Sequence, residues 1–149
     1  MWEFYPLLRQ ALSLLWRFHR WIFRVSDGRL GASLFGNQVL RLVTKGRRSQ
    51  APREVMLHSF PAPSGHVVAS NTGDDRQPAW YLNLQADPVA ELQIGTERRR
   101  VKAREAQGEE RMRLWSEIVK QDRSYAEYQT RTNRQIPLVI LEPIGPVSD

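Results

Sequence analysis

The chain contains no cysteine. That removes disulfides, thiolate metal sites and cysteine nucleophiles, and it leaves the compartment open. Histidine is nearly as scarce. His19, His58 and His66 lie far apart and share no ligand spacing, which argues against a metal enzyme. No apolar run is free enough of charge to cross a membrane: Arg17, His19 and Arg20 fall well inside the span of about 20 residues that crossing needs. A cleaved signal peptide is a poor fit too. The arginines follow the apolar run rather than precede it, and no small-residue cleavage site ends it. There is no internal repeat and no low-complexity tract. Zinc-finger, helix-turn-helix and RNP signatures are missing, and no glycine-flanked elbow surrounds Ser70 to make it a hydrolase nucleophile.

What is present is enough for one domain with a real core: 149 residues, 41% hydrophobic and 26% charged. The net charge of +6 is unevenly spread. Residues 1–53 hold ten Lys/Arg against two Asp/Glu, and the remainder hold twelve against fourteen. The basicity therefore belongs to the N-terminal third and predicts an anionic partner there: phosphate, carboxylate, membrane surface or nucleic acid.

Residues 4–25, FYPLLRQALSLLWRFHRWIFRV, read as an amphipathic helix. At about 100° per residue, Arg9, Ser13, Arg17, Arg20 and Arg24 share one narrow stripe, and the rest of the circumference is apolar. Two readings stay open. The helix packs on its own domain or on a dimer mate, or it lies on an anionic membrane surface, which Trp16 and Trp21 also suit. SDGRLG, 26–31, ends the helix with turn residues.

Strand-like segments follow at 38–44, 53–60, 66–70, 90–94, 98–104 and 137–142. AWYLNLQAD, 79–87, reads as a short helix stopped before Pro88. Met112, Trp115, Ile118 and Val119 mark the buried face of a helix over 109–121. In AELQI, 90–94, Ala90, Leu92 and Ile94 alternate with Glu91 and Gln93. Six short strands joined largely by hairpin-length loops predict a mainly β (α+β) fold, a small antiparallel barrel with helices packed outside. The helix over 1–27 precedes this barrel domain, 28–149.

TKGRRSQAPRE, 44–54, sets Gly46 among Lys45, Arg47, Arg48 and Arg53, with Ser49 beside them. Gly46 permits positive φ, so backbone N–H groups could face an anion. The arginine forks suit phosphate or carboxylate oxygens. The spacing is not that of a Walker loop. On chemistry alone, a solvated basic hairpin and an anion site fit equally well. RRRVKAR, 98–104, alternates across a strand, so its charges line a solvated face, and nucleic acid is not an expected partner.

TKGRRSQAPRE, VVASNTG, PAWYLNLQADP and YAEYQTRTNRQIPLVILEP occur in this order, within a resemblance that covers roughly residues 28–143. Together they resemble the deazaflavin-dependent nitroreductase family, split β-barrels that use coenzyme F420. The resemblance implies that Arg47, Arg48, Ser49 and Arg53 hold the cofactor's phosphate and acidic tail. It implies that Val55, Met56, Leu57 and His58 line the deazaflavin, with Ala69 and Ser70 near its reactive face. Ala79, Trp80, Tyr81, Leu82 and Asn83 also contact the cofactor in this reading, and Tyr125 and Tyr128 edge the substrate pocket. Ser70, Tyr125 and Tyr128 are then the candidate catalytic side chains, with Trp80, Tyr81 and the two tyrosines equally readable as core aromatics. Lys45, Gln50, Met56 and Asp122 depart from the family pattern. The Asp122 departure sets nitroimidazole activation specifically in doubt.

The implied activity is hydride transfer from reduced F420 to a planar electron-poor acceptor: a quinone, an enone or a nitroarene. FMN is the less favoured cofactor. The rival expectations are a non-catalytic flavin-, deazaflavin- or lipid-binding barrel and a basic adaptor for nucleic acid or membrane. A homodimer fits the N-terminal helix as well as membrane contact does. The expected location is the cytoplasm or, peripherally, the inner face of the cell membrane.

Overall fold

The computed structural model describes residues 5–30, 33–34, 37–69 and 74–147. In chain order the elements are α1 (Tyr5–Val25), β1 (Ser33–Leu34), β2 (Asn37–Lys45), β3 (Pro52–Ala62), β4 (Gly65–Ala69), α2 (Ala79–Ala86), β5 (Val89–Ile94), β6 (Glu97–Glu105), α3 (Gly108–Gln121), α4 (Ser124–Thr130) and β7 (Leu138–Pro146). The strands run antiparallel in the order β1-β2-β3-β4-β7-β6-β5. Pairing of β2 with β5, from Arg41 opposite Gln93 to Val43 opposite Glu91, closes β2 to β7 into a six-stranded barrel. Closure is incomplete along β3, which pairs with β4 only from Phe60 to Ala62 and so leaves one edge of its first part open. This is the split β-barrel predicted from the sequence.

Side-chain alternation sorts the strands into an inner and an outer face. Leu40, Leu42, Val68, Leu92, Val101, Val139 and Leu141 fill the barrel, and α2 adds Trp80, Tyr81 and Leu84 to the same cluster. On the outside, Phe60, Val67, Ala69, Leu138 and Ile140 lie under α3 and α4, against Leu114, Ile118 and Tyr125. Strands β4 and β7 are thus buried on both faces, which explains the unbroken apolar runs HVVA and LVIL. A third, smaller cluster of Val39, Met56 and Phe23 seats α1 on the barrel.

Two expectations from the sequence shift. In α3 the buried residues are Leu114 and Ile118, and Met112 is 72% exposed. Arg111, Leu114, Trp115 and Ile118 share the inward arc, and Met112 falls at its solvent edge. Gln93, expected on the polar face of β5, is buried because α1 ends on top of it. Its Nε2 donates to the carbonyls of Asp27 (3.2 Å) and Gly95 (3.0 Å).

That helix end is a Schellman-type stop. Gly28 N–H donates to Phe23 O (2.8 Å) and Asp27 N–H to Arg24 O (3.2 Å), with Asp27 left-handed at φ 50°. Arg98 Nη2 donates to Asp27 Oδ1 at 2.5 Å, which ties the stop to β6 and holds the Asp27 carboxyl below its usual range. Gly28 takes φ 80°, and a Cβ there would lie 1.6 Å from Gly95 O. Gly28→Ala therefore incurs both a left-handed penalty and a backbone collision. We expect it to lower the unfolding free energy by on the order of 3 kcal/mol in urea titrations. Arg29→Ala, on an exposed side chain, serves as the control and should change little.

Candidate functional site

Strand β2 enters the cationic turn with both edges paired, to β3 and to β5. The turn is closed by Gly46 N–H to Ala51 O (2.8 Å) and Gln50 N–H to Gly46 O (2.8 Å). The positive φ expected at Gly46 falls instead on Gln50, at 61°. Gly46 is required for space: a Cβ there would lie 2.6 Å from Ser49 Oγ and 3.1 Å from Ala51 O. The Gln50 side chain donates back to the carbonyls of Gly46 (3.4 Å) and Arg47 (3.3 Å), which offsets part of its left-handed strain.

Asn83 on α2 fixes the other side of the turn. It is 4% exposed. Its Oδ1 accepts from Arg47 N–H (3.1 Å) and Arg47 Nη1 (3.5 Å), and its Nδ2 donates to Thr44 Oγ1 (3.0 Å). Buried amides of this kind hold their partners firmly, because any break leaves an unmet polar group. Ser49 Oγ accepts from Ala51 N–H and Arg53 Nη2, both at 3.3 Å, so the hydroxyl also braces Arg53.

These elements enclose a cleft of about 760 Å³. Its lining includes Arg47, Arg48, Ser49 and Arg53 and also Val55, Leu57, Ala79 and Trp80. Glu54 is the only carboxylate among the described lining residues. Arg41 Nε and Nη2 each meet its Oε2 at 2.8 Å, and Arg24 stands 3.8 Å from its Oε1, so its charge is countered. The donors suit phosphate and carboxylate oxygens. The apolar side chains suit a flat ring system, and the volume is that of a small-molecule site.

Of the residues expected at the site, Arg47, Arg48, Ser49, Arg53, Val55, Leu57, Ala79, Trp80 and Asn83 meet in this cleft. The others lie elsewhere. Met56 and His58 point to the outer face, under α1. Tyr81 is core, its hydroxyl donating to Glu105 Oε2 at 2.7 Å. Leu82 packs on the inner cluster, and Ala69 on the outer one. Tyr125 and Tyr128 pack edge-on beside Phe60. Ser70 falls outside the described residues. Trp16, Thr44, Glu54 and Pro78 line the cleft without having been anticipated. Thr44 and Glu54 are the two ends of the stretch 44–54 and had been given no role within it. Trp16 comes from α1, and no local signal announces a contact at that sequence distance.

Tyr81 and Tyr125 are poor acids here. Burial, with the hydrogen bond to Glu105, pushes Tyr81 up to about 12. Burial, together with Asp122 and Tyr128, pushes Tyr125 higher still. Burial lowers His58 below its ordinary 6.5; Asp122 opposes that shift and His19 adds to it.

The model of the F420H(2)-dependent quinone reductase family matches residues 15–143. An F420H(2)-dependent quinone reductase of Mycobacterium tuberculosis is 38% identical over 133 residues, 85% of this chain and 89% of the relative. The solved F420-H2 dependent reductase FDR-A superposes with TM-score 0.64 at 36% identity, covering 70% of this chain and 93% of that one. A solved structure described as a domain-swapped dimer gives TM-score 0.67 at 31% identity over 87% of this chain and 99% of its own.

The Asn83 bridge and the buried imidazoles each yield an expected outcome. Asn83→Ala should lower unfolding free energy by about 1–3 kcal/mol, since Thr44 and the Arg47 amide both lose a partner. His58 and His66 both have folded-state values depressed by burial. The unfolded chain therefore binds more protons than the folded one just below pH 6.5, and stability falls as pH drops through that window. Melting temperatures measured from pH 7.5 to 5 should decline, and His58→Gln should flatten part of the decline.

Proposed function

The chain belongs to the F420H(2)-dependent quinone reductase family, and from that premise we propose that its cleft holds coenzyme F420 and passes a hydride to a lipophilic quinone. The carrying observation is the lining of the cleft, which brings Arg47, Arg48 and Arg53 together with the apolar side chains Val55, Leu57, Ala79 and Trp80. Arg47, Arg48 and Arg53 bind the cofactor's phosphate and acidic tail, with Ser49 bracing Arg53. Val55, Leu57, Ala79 and Trp80 hold the ring and keep water from it. When bound, the deazaflavin supplies the hydride, and the protein's part is binding and orientation. Asn83 acts by holding the Arg47 backbone.

Tyr125 serves in this reading as packing beneath the acceptor side rather than as a proton donor, since burial keeps its phenol from ionising, and Tyr128 packs edge-on against it. Ser70, outside the described residues, keeps the place near the reacting end of the cofactor that the family resemblance implies.

The reading extends to a peripheral membrane contact. No described helix is long and apolar enough to cross a membrane. Yet α1 exposes Leu14, Phe18, Trp21 and Val25 in one stripe beside Arg17 and Arg24. Such a face fits an anionic bilayer surface, where a lipophilic quinone resides. A second copy of the chain, as suggested by the domain-swapped relative, is the competing occupant.

F420 titration followed by cofactor fluorescence should give saturable binding, with FMN binding far more weakly. Arg48→Ala combined with Arg53→Ala should raise Kd by about tenfold or more, as loss of charge-assisted contacts requires. Turnover with a soluble quinone should fall with the lost affinity. FMN bound in preference to F420, or no effect of the double variant, would overturn the assignment.

A further inference from the structure

Helix α1 has two working faces. Trp16, His19 and Phe23, at i, i+3 and i+7, lie on the barrel side, where Trp16 packs tilted over His58 with ring centroids 5.3 Å apart. Leu14, Phe18, Trp21 and Val25, at i, i+4, i+7 and i+11, lie on the opposite side and are 58–68% exposed from Phe18 on and at Leu14 60%. Arg17 and Arg24 border this stripe, with Arg20. One helix can therefore touch the barrel and a lipid surface at once. It is also part of the cleft, because Trp16 lines the same cavity as Arg47, Arg53 and Trp80.

The seam beneath α1 is not strongly held. The side chains from Gln10 to Leu15 are all exposed, and Trp16 is the next described side chain to meet the barrel. His19 is 7% exposed, and neither of its ring nitrogens has a hydrogen-bond partner. A buried polar ring without partners works against the apolar contacts around it. A docked state held by so fine a balance is one that a ligand of the outer face can shift.

We propose that engagement of the outer face of α1 by an anionic lipid surface fixes Trp16 in the cleft wall, so that membrane docking and cofactor binding reinforce one another. The proposal rests on the reading of the cleft as a deazaflavin site and commits the exposed stripe to lipid. The commitment follows from charge: arginines beside an apolar stripe complement anionic headgroups over acyl chains. The bilayer selects the helical, docked α1, and the cofactor selects the same state from the other side. The coupling is therefore positive and, by thermodynamic necessity, reciprocal. For a protein that takes its acceptor from the bilayer, the consequence is tighter cofactor binding at the membrane than away from it.

The test measures both arms of the cycle. F420 Kd is determined without vesicles, with phosphatidylglycerol-containing vesicles and with phosphatidylcholine vesicles; vesicle partition is measured with and without F420. Anionic vesicles should tighten F420 binding about fivefold, F420 should raise vesicle partition by the same factor, and neutral vesicles should do neither. Phe18→Asp combined with Trp21→Asp should abolish vesicle binding and the tightening, with F420 Kd in free solution unchanged. Trp16→Ala and the milder Trp16→Phe should keep vesicle binding and lose or reduce the tightening. A cofactor-free readout is available because the chain has no cysteine: a single thiol from Ala79→Cys, at the cleft, should react about fivefold more slowly with anionic vesicles present. Vesicle binding without any change in Kd or thiol reactivity would overturn the coupling while sparing the lipid contact. So would a tightening that survives Trp16→Ala. Absence of vesicle binding, with a dimer in sedimentation equilibrium, would assign the stripe to a second copy and overturn the proposal. Failure of F420 to bind in free solution would overturn the cofactor reading alone, with the thiol rate still deciding the coupling.

Discussion

Strand β2 is paired along both edges, to β3 from Gln38 to Lys45 and to β5 from Arg41 to Val43. Most of the molecule's organisation depends on that double pairing. It closes the barrel, so Leu40 and Leu42 become interior and Val39 exterior without ambiguity, because a one-residue slip would exchange the two faces. It also fixes where the chain leaves β2 at Lys45. The cationic turn is launched from a strand that cannot pivot, and Asn83 then clamps the turn from the α2 side. Arginine side chains are long and costly to order. Holding the backbone beneath them rigid is the economical way to aim several at one place.

Helix α1 is attached by different means. Its last turn is stopped by a left-handed Asp27 and by Gly28, whose missing side chain lets the two backbones meet at Gly95. Gln93 seals this junction from beneath, and Arg98 from the side. The strong anchorage is thus at the C-terminal end, while the middle rests on a histidine whose ring nitrogens are unmet. A helix pinned at its C-terminal end, with its side chains from Gln10 to Leu15 exposed, can respond to what lies on its outer face without disturbing the barrel.

The sequence was most legible where local patterning and tertiary need agree. Strands β2 to β7 and helices α1 to α3 follow from alternation, turn residues and the stop at Pro88. The closed barrel follows from six short strands and hairpin-length loops. The cationic turn was visible as a cluster of arginines about a glycine, and its partner Asn83 was reachable through the family pattern. What stayed hidden depends on contacts distant in sequence. Gln93 reads as a solvent-facing residue until α1 lands on it, and Trp16 reads as one more apolar helix residue until it borders a cleft made by β3 and α2. Backbone conformation was equally opaque: the left-handed residue of the turn is Gln50 rather than Gly46, because glycine there is needed to admit Ser49 and Ala51. The separation of Met56 and His58 from Val55 and Leu57 could have been foreseen, since adjacent strand residues face opposite ways. A family motif names a run of residues, but a strand can present only alternate members of it to one cleft.

The cleft is lined by arginines and by apolar side chains, and on the proposed reading that combination has a thermodynamic meaning. Arg47, Arg48 and Arg53 are exposed, so each contact with an anion is screened by solvent and modest taken singly. Three of them on a backbone already fixed by hydrogen bonds spare much of the ordering cost, and their contributions accumulate. Binding energy gathered at anionic groups remote from the reacting atoms does not alter the chemical step directly. It can offset the cost of holding a flat ring against Trp80, Val55 and Leu57, where no charged partner helps. The same logic explains why Glu54, close enough to weaken the anion's hold, is itself held by Arg41 on the neighbouring strand. On the proposed reading, specificity for a ligand that is both acidic and planar follows from that combination, since a ligand with only one of those features forfeits part of the cleft.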